Sequence, residues 1–207
     1  MERKRDLKMS RLYSLLAVIL ALAELALVML SWLLSAMMTE GVRSLLSSGG
    51  IRWFFGQFTA LIATPLLVWI VLLSMALGCL WQSGLHGSLA ASLSSRLSYR
   101  ERVALRTVAV LLVAYVGVVV ALTAIPHAVL LSATGQLFPS AFSRALVPIV
   151  SFGIGLMSVV FGLMSGRFES SEDVVEAISY GIRQTAPLFL IYVLAIQFYE
   201  SLRFVFC

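Results

Sequence analysis

Glu24 sits near the middle of an apolar run that extends over about residues 12–38. A carboxylate in such a run costs on the order of 2.5 to 3.5 kcal/mol to place in lipid, so it requires a partner or a neutralising proton. Two roles fit it: a station for a proton or cation, or an interhelical hydrogen bond made by the protonated acid. No second acid or base lies deep in the other apolar runs to continue a relay. The remaining chemistry-bearing residues are thinly spread. His86 lies among glycine and polar neighbours with no partner in sequence, which reads as a solvated loop histidine rather than a pH switch. Cys79 and Cys207 show no metal-ligand spacing and no disulfide framework, so each reads as a lone thiol. His-Glu-x-x-His, Gly-x-Ser-x-Gly and Walker patterns are missing from the sequence, which points away from an enzyme, a metal site or a bound cofactor.

The elements that hold these residues are set by composition. Hydrophobic residues make up 60% of the chain and charged ones only 12%, with a mean hydropathy of +0.99. A soluble domain carries about 25% charge. The chain therefore reads as all-α, a polytopic integral membrane protein whose first partner is the lipid bilayer. With roughly 20 apolar residues needed per crossing, a single membrane domain over 1–207 holds about five spans, near 12–38, 61–81, 103–125, 145–164 and 186–206. The net charge of +5 lies at span ends, which fits orientation and anionic lipid rather than nucleic acid. The first apolar run exceeds the ~7–15 residues of a secretory signal core and reads as an uncleaved span.

From Phe161 to Phe206 the sequence passes through a span's end, a charged loop, a surface helix and a final span. Arg167, Glu169, Glu172 and Asp173 set a water boundary near Ser165. Ser170 and Asp173 form a capping-box pattern, with acids where exposed backbone N–H groups favour negative charge. That predicts a cytoplasmic interfacial helix over about 171–184, with Val174, Ile178, Gly181 and Ile182 on its apolar side. Pro187, which has no N–H to donate, suits the first turn of a separate last helix. Upstream, Thr39 to Thr59 reads as an external interfacial loop or half-helix, Gln82 to Arg106 as a cytoplasmic loop, and Pro126 to Ser143 as an external one. Ser151, Gly155, Ser158, Gly162 and Gly166 give the fourth span a small-residue face for a neighbouring helix or a second copy.

Orientation follows from the basic residues. Arg3, Lys4, Arg5, Lys8, Arg11, Arg96, Arg100, Arg102, Arg106, Arg167 and Arg183 fall on one side of a five-span chain, leaving Arg43, Arg52, Arg144 and Arg203 of the 15 on the other. The richer side is cytoplasmic, which predicts a multi-pass protein of the cytoplasmic membrane with its N-terminus inside and its C-terminus outside. The last span is the shortest: its uncharged part, Ala186 to Tyr199, crosses only if Glu200 and Arg203 pair at the outer headgroups.

The run from Phe161 to Ala177, FGLMSGRFESSEDVVEA, followed by Ala195-Ile196-Gln197-Phe198, resembles the AbgT family of p-aminobenzoyl-glutamate transporters, whose members read much like G-x-x-x-G-x-[FI]-[KR]-S-x-x-D-V-x-x-A-M with A-A-Q-F in the next span. Ile51-Arg52-Trp53-Phe54, Thr64-Pro65-Leu66, Ser83-Gly84-Leu85, Ser98-Tyr99-Arg100-Glu101-Arg102 and Thr134-Gly135-Gln136-Leu137 are similar to other parts of the same family. Where many members carry an acidic and a basic residue before that Gly-Leu, this chain has Trp81 and Gln82. The resemblance implies a membrane transport protein of a bacterial inner membrane, carrying p-aminobenzoyl-glutamate or related aromatic anions and antimetabolites. It also implies a shortened form, without the re-entrant hairpins that build the family's substrate site, so no family binding residue transfers to a position here. Glu24, Gln82 and Gln197 remain as substrate- or proton-linked candidates beside their structural reading. A reduced carrier would act as a homo-oligomer or with a partner membrane subunit; the other reading is a non-transporting scaffold that keeps only the framework helices.

Overall fold

A computed structural model describes residues 2–38, 41–92, 98–124 and 141–207. Most of the expected external loop from Pro126 to Ser143, with its Thr134 to Leu137 phrase, lies outside the described residues, as do Glu40 and Arg96. The described residues form helices and no strands: α1 (Glu2–Ala36), α2 (Ser48–Gly56), α3 (Phe58–Ile62), α4 (Pro65–Ser83), α5 (Leu85–Ser92), α6 (Tyr99–Ala124), α7 (Ala141–Ser165) and α8 (Ser171–Phe206). Five of them are long and apolar enough to cross a bilayer, over Arg11–Ala36, Pro65–Ser83, Tyr99–Thr123, Arg144–Ser165 and Ser171–Phe206. The shortest, at 19 residues, extends about 29 Å against a hydrocarbon core of ~30 Å. Their apolar side chains point outward: Leu25 is 63% exposed, Met29 65%, Val110 71% and Val113 73%. Water would not tolerate apolar surface on this scale, and lipid does. The protein is an all-α polytopic membrane protein.

Two compact units divide the chain, one of Met1–Val68 with Thr185–Cys207 and one of Trp69–Gln184. In the first, Leu27 of α1, Leu45 and Val205 of α8 form a buried cluster. The segment between α1 and α2 is tied down by its backbone: Arg43 N–H donates to the Val205 carbonyl at 3.0 Å, and Leu45 N–H donates to Ser31 Oγ at 3.2 Å. Ser47 caps α2 by accepting from Gly50 N–H at 3.0 Å. Of the loop and half-helix alternatives for this stretch, the described residues show an irregular segment over 41–47 followed by the short helices α2 and α3, and Pro65 occupies the first position of α4, where a missing N–H costs nothing.

In the second unit α6 packs on α7, with Ala104, Val108, Met157 and Phe161 at the core and Leu85 of α5 against them. α4 and α8 approach each other closely. A Cβ at Gly78 would stand 2.5 Å from both the Ala177 carbonyl oxygen and the Gly181 nitrogen. Only glycine allows backbones this near. The small-residue face of α7 has a mixed fate. Ser158 is fully buried and donates to the Ile154 carbonyl at 2.7 Å; the Phe168 ring lies over Gly162, and Gly155 has open space. Gly166, at φ +79°, ends α7 in the left-handed turn that lets Arg167 and Phe168 N–H groups reach the Gly162 carbonyl at 2.9 and 3.1 Å.

Two boundary expectations are corrected. Pro187 does not open a new helix: α8 is continuous from Ser171 to Phe206, with the proline inside it. A membrane helix accepts this because neighbouring groups and local adjustment re-satisfy the freed backbone. Pro148 is likewise carried inside a helix, α7, which starts at Ala141. The stretch from Gln82 to Arg106 is largely helical rather than a plain loop, holding α5 and the first turns of α6. His86 accordingly sits exposed on α5, its Nδ1 3.4 Å from the Leu80 carbonyl oxygen.

Candidate functional site

The first unit brings two of the three sequence candidates together. α1 presents Glu24 toward α8, where Gln197 and Ser201 occupy successive turns of one face, four residues apart. Ser201 Oγ donates to Glu24 Oε1 at 2.6 Å, and Gln197 Nε2 stands 3.5 Å from Ser201 Oγ, which it can donate to weakly. Ser201 is fully buried and Gln197 is 5% exposed. The hydrogen bonds thus run in one direction, amide to hydroxyl to carboxyl. At the two ends, Glu24 Oε2 and Gln197 Oε1 are buried and accept nothing. Gln82, the third candidate, is exposed in the other unit and takes no part.

A second feature of this unit escaped the sequence reading. Between α3 and α4 the helical path breaks at Ala63 and Thr64, and Tyr192 of α8 covers the break: its hydroxyl donates to the Ile62 carbonyl at 2.9 Å and meets Thr64 Oγ1 in a short contact. Proline at 65 was the visible signal of a discontinuity. The phenol that serves it was not visible, because nothing local marks one tyrosine among six as a partner.

The second unit holds a polar cluster at the α4–α5 turn. Glu101 accepts from Ser98 N–H at 3.1 Å and from Ser88 Oγ at 3.4 Å, and lies 3.9 Å from the Arg167 guanidinium. That guanidinium rests on Gly84, whose φ is +70°. Glycine is required there twice over, for the turn and for the contact. Asp173 completes the expected capping box: its Oδ2 accepts from Glu169 and Ser170 N–H at 2.8 and 2.9 Å, while Ser170 Oγ accepts from Asp173 N–H at 3.3 Å. This carboxyl lies at the exposed start of α8, ahead of the apolar stretch, and those two backbone bonds hold its pKa below the usual carboxylate value. Among the described residues no group of three or more His, Cys, Asp or Glu has the arrangement of a metal site.

Two apolar grooves mark the same unit. One of about 500 Å³ lies among Leu72, Met75, Cys79, Pro148, Ser151, Gly155 and Ile178, and Ser151 Oγ is buried there without a hydrogen-bond partner. The other, about 570 Å³, runs between α6 and α7 past Leu105, Leu112, Tyr115, Leu146 and Gly153. Neither is lined by a charged residue.

Long apolar helices, a broken helix and polar side chains enclosed between spans define a polytopic helical membrane protein with a discontinuous segment. The crystal structure of the Alcanivorax borkumensis YdaH transporter, described as having an unusual topology, matches with a TM-score of 0.79 over 90% of this chain and 70% of that one, at 15% sequence identity. At that identity the likeness is one of fold. The sequence itself carries the second step, since the model of the AbgT putative transporter family matches residues 11–204. The chain belongs to the AbgT family. No curated protein matches it significantly.

Proposed function

We propose that this protein carries p-aminobenzoyl-glutamate or related aromatic anions, including antimetabolites of that shape, across a bacterial cytoplasmic membrane, and that it performs no covalent chemistry. The single observation that carries the reading is the family match over residues 11–204. The break at Ala63 and Thr64 supports it, because secondary transporters bind substrate where helices are discontinuous and backbone groups are free to turn inward. The two apolar grooves would accept an aromatic ring. They offer no cation to a carboxylate among their lining residues, so the anionic end of the substrate is met by a second copy or a partner membrane subunit. The single membrane domain lies N-terminus inside and C-terminus outside, as the basic residues direct.

Purified protein reconstituted in liposomes tests this. The expected result is saturable uptake of labelled p-aminobenzoyl-glutamate above that of empty liposomes, with crosslinking that recovers a homo-oligomer or one specific partner. Uptake no greater than in empty liposomes, by the protein alone and with its crosslinked partner, refutes transport and leaves a framework scaffold.

A further inference from the structure

The Glu24, Ser201 and Gln197 group has a polarity that its neighbours leave unfinished. A donor chain that starts at an amide and ends on a carboxyl leaves one acceptor exposed at each end, Gln197 Oε1 and Glu24 Oε2, both sealed from solvent. Buried polar atoms are nearly always satisfied, and an acceptor without a donor calls for a positive partner. No cation among the described residues supplies it. Among the residues whose side chains are described, the other charged side chains of this unit are Arg11, Arg43, Arg52, Glu200 and Arg203; Glu200 pairs with Arg203 at 3.8 Å, and none of the five forms an ion pair or hydrogen bond with Glu24 or Gln197. Tyr192 is engaged at the α3–α4 break, and the hydrogen bonds of Glu24 and Gln197 run to Ser201 rather than to Tyr13, Tyr199 or Cys207. Arg11 lies 13 residues before Glu24 on the same helix, about 20 Å away.

We propose that Glu24, Gln197 and Ser201 form a binding site for one small positive charge, a proton or a sodium ion, which the two unpartnered acceptors, Glu24 Oε2 and Gln197 Oε1, would receive. The charge count favours a monovalent occupant, since one carboxylate is all that balances it, and carboxylate, amide and hydroxyl oxygens are hard donors suited to a hard ion. The site stands whether or not the protein moves an aromatic anion. Occupancy closes the circuit: a bound proton turns Oε2 into a donor, and sodium draws both oxygens to itself. Either way α1 and α8 are held together more firmly when the site is filled, so the ion stabilises the fold by mass action.

The test uses the full chain in lipid nanodiscs and follows the thermal midpoint in sodium chloride against choline chloride, from mildly acid to mildly alkaline pH. Wild type is expected to rise by about 2–4 °C or more on filling the site. Glu24→Gln should lose both dependences and hold a midpoint at alkaline pH no lower than wild type without sodium, because an amide N–H replaces the missing positive partner. A response to sodium at constant pH identifies sodium. A response to acid alone, with a protonated-carboxyl infrared band that vanishes in Glu24→Gln, identifies the proton. Gln197→Leu removes one of the two oxygens and should weaken the response severalfold, which keeps the test open if Glu24→Gln fails to fold. Equal pH and sodium dependence in wild type and both variants overturns the proposal.

Discussion

Gly78 and Gly181 make the close approach of α4 to α8 into a quantitative test of the fold. In Gly78→Ala the new methyl would lie 2.5 Å from a carbonyl oxygen and a backbone nitrogen, whereas ordinary contact begins at 3.4 Å, so the helices must part by 3.4 − 2.5, or about 0.9 Å. Neither obstacle is a side-chain tip that can rotate aside. The strain belongs at the upper end of the usual overpacking range, about 3 kcal/mol. Alanine's better helix propensity offsets roughly 1 kcal/mol of that, leaving a net loss near ~2 kcal/mol. The matched control is Gly117→Ala in α6, where nothing stands within 4 Å of the added methyl; it should gain up to ~1 kcal/mol from propensity alone. The same chemical change then differs by about 3 kcal/mol between two helices, or roughly 6–12 °C in midpoint for a chain of this size. Thermal unfolding of the three proteins in one nanodisc preparation measures it. If Gly78→Ala and Gly117→Ala melt within a degree of each other, the two backbones do not touch and the packing of α4 on α8 is wrong.

Tyr192→Phe removes the donor that covers the α3–α4 break and should cost about 1–2 kcal/mol, with faster hydrogen exchange at the amides of Thr64 and residues 66–68 and little change in α7; unchanged exchange there would show that the break needs no phenol. For Asp173 the sign is fixed by its lowered pKa: its contribution is complete above the unfolded carboxylate value of about 3.9 and fades as pH falls through it toward the folded value. Asp173→Ala should therefore lower the midpoint at neutral pH and flatten its decline on acidification, and an unaltered acid profile would refute the capping box. Cys207 is exposed and Cys79 buried, so a membrane-impermeant maleimide added to intact cells should label wild type but not Cys207→Ser; labelling only after the membrane is opened would reverse the proposed orientation.

What the sequence disclosed, and what it withheld, divides by range. The five long apolar helices were legible because length and hydropathy are properties of contiguous residues, and the box of Ser170 and Asp173 because its partners stand three apart. Partnership between helices has no such signature. Glu24 could be singled out as a carboxyl needing help, but the hydroxyl that serves it lies 177 positions away, one serine among many. Gln197 was noticed only through a family phrase, and Gln82 by the same route, yet only the first faces a polar partner. The most conspicuous small-residue series, on α7, drew attention from the shorter Ser74/Gly78 and Ala177/Gly181 pairs, where backbones actually meet. Spacing shows that a helix can be approached closely, and the approaching surface decides whether it is.

Pro187 shows the same limit from the side of energetics. In water a proline inside a helix costs about 3 kcal/mol or more, enough to justify reading a boundary before it. In lipid the alternative is worse, because a broken helix would expose several unpaired backbone groups to hydrocarbon, each costing several kcal/mol, while a proline frees one carbonyl. The balance favours one continuous helix from Ser171 to Phe206. The balance runs the other way at the α3–α4 break, where the Ile62 carbonyl, outside the regular helical pattern, accepts from Thr64 N–H at 2.7 Å and from the Tyr192 hydroxyl at 2.9 Å. At the α3–α4 break a side chain from another segment stands ready to satisfy the exposed carbonyl, whereas at Pro187 keeping the helix whole exposes fewer groups than breaking it would.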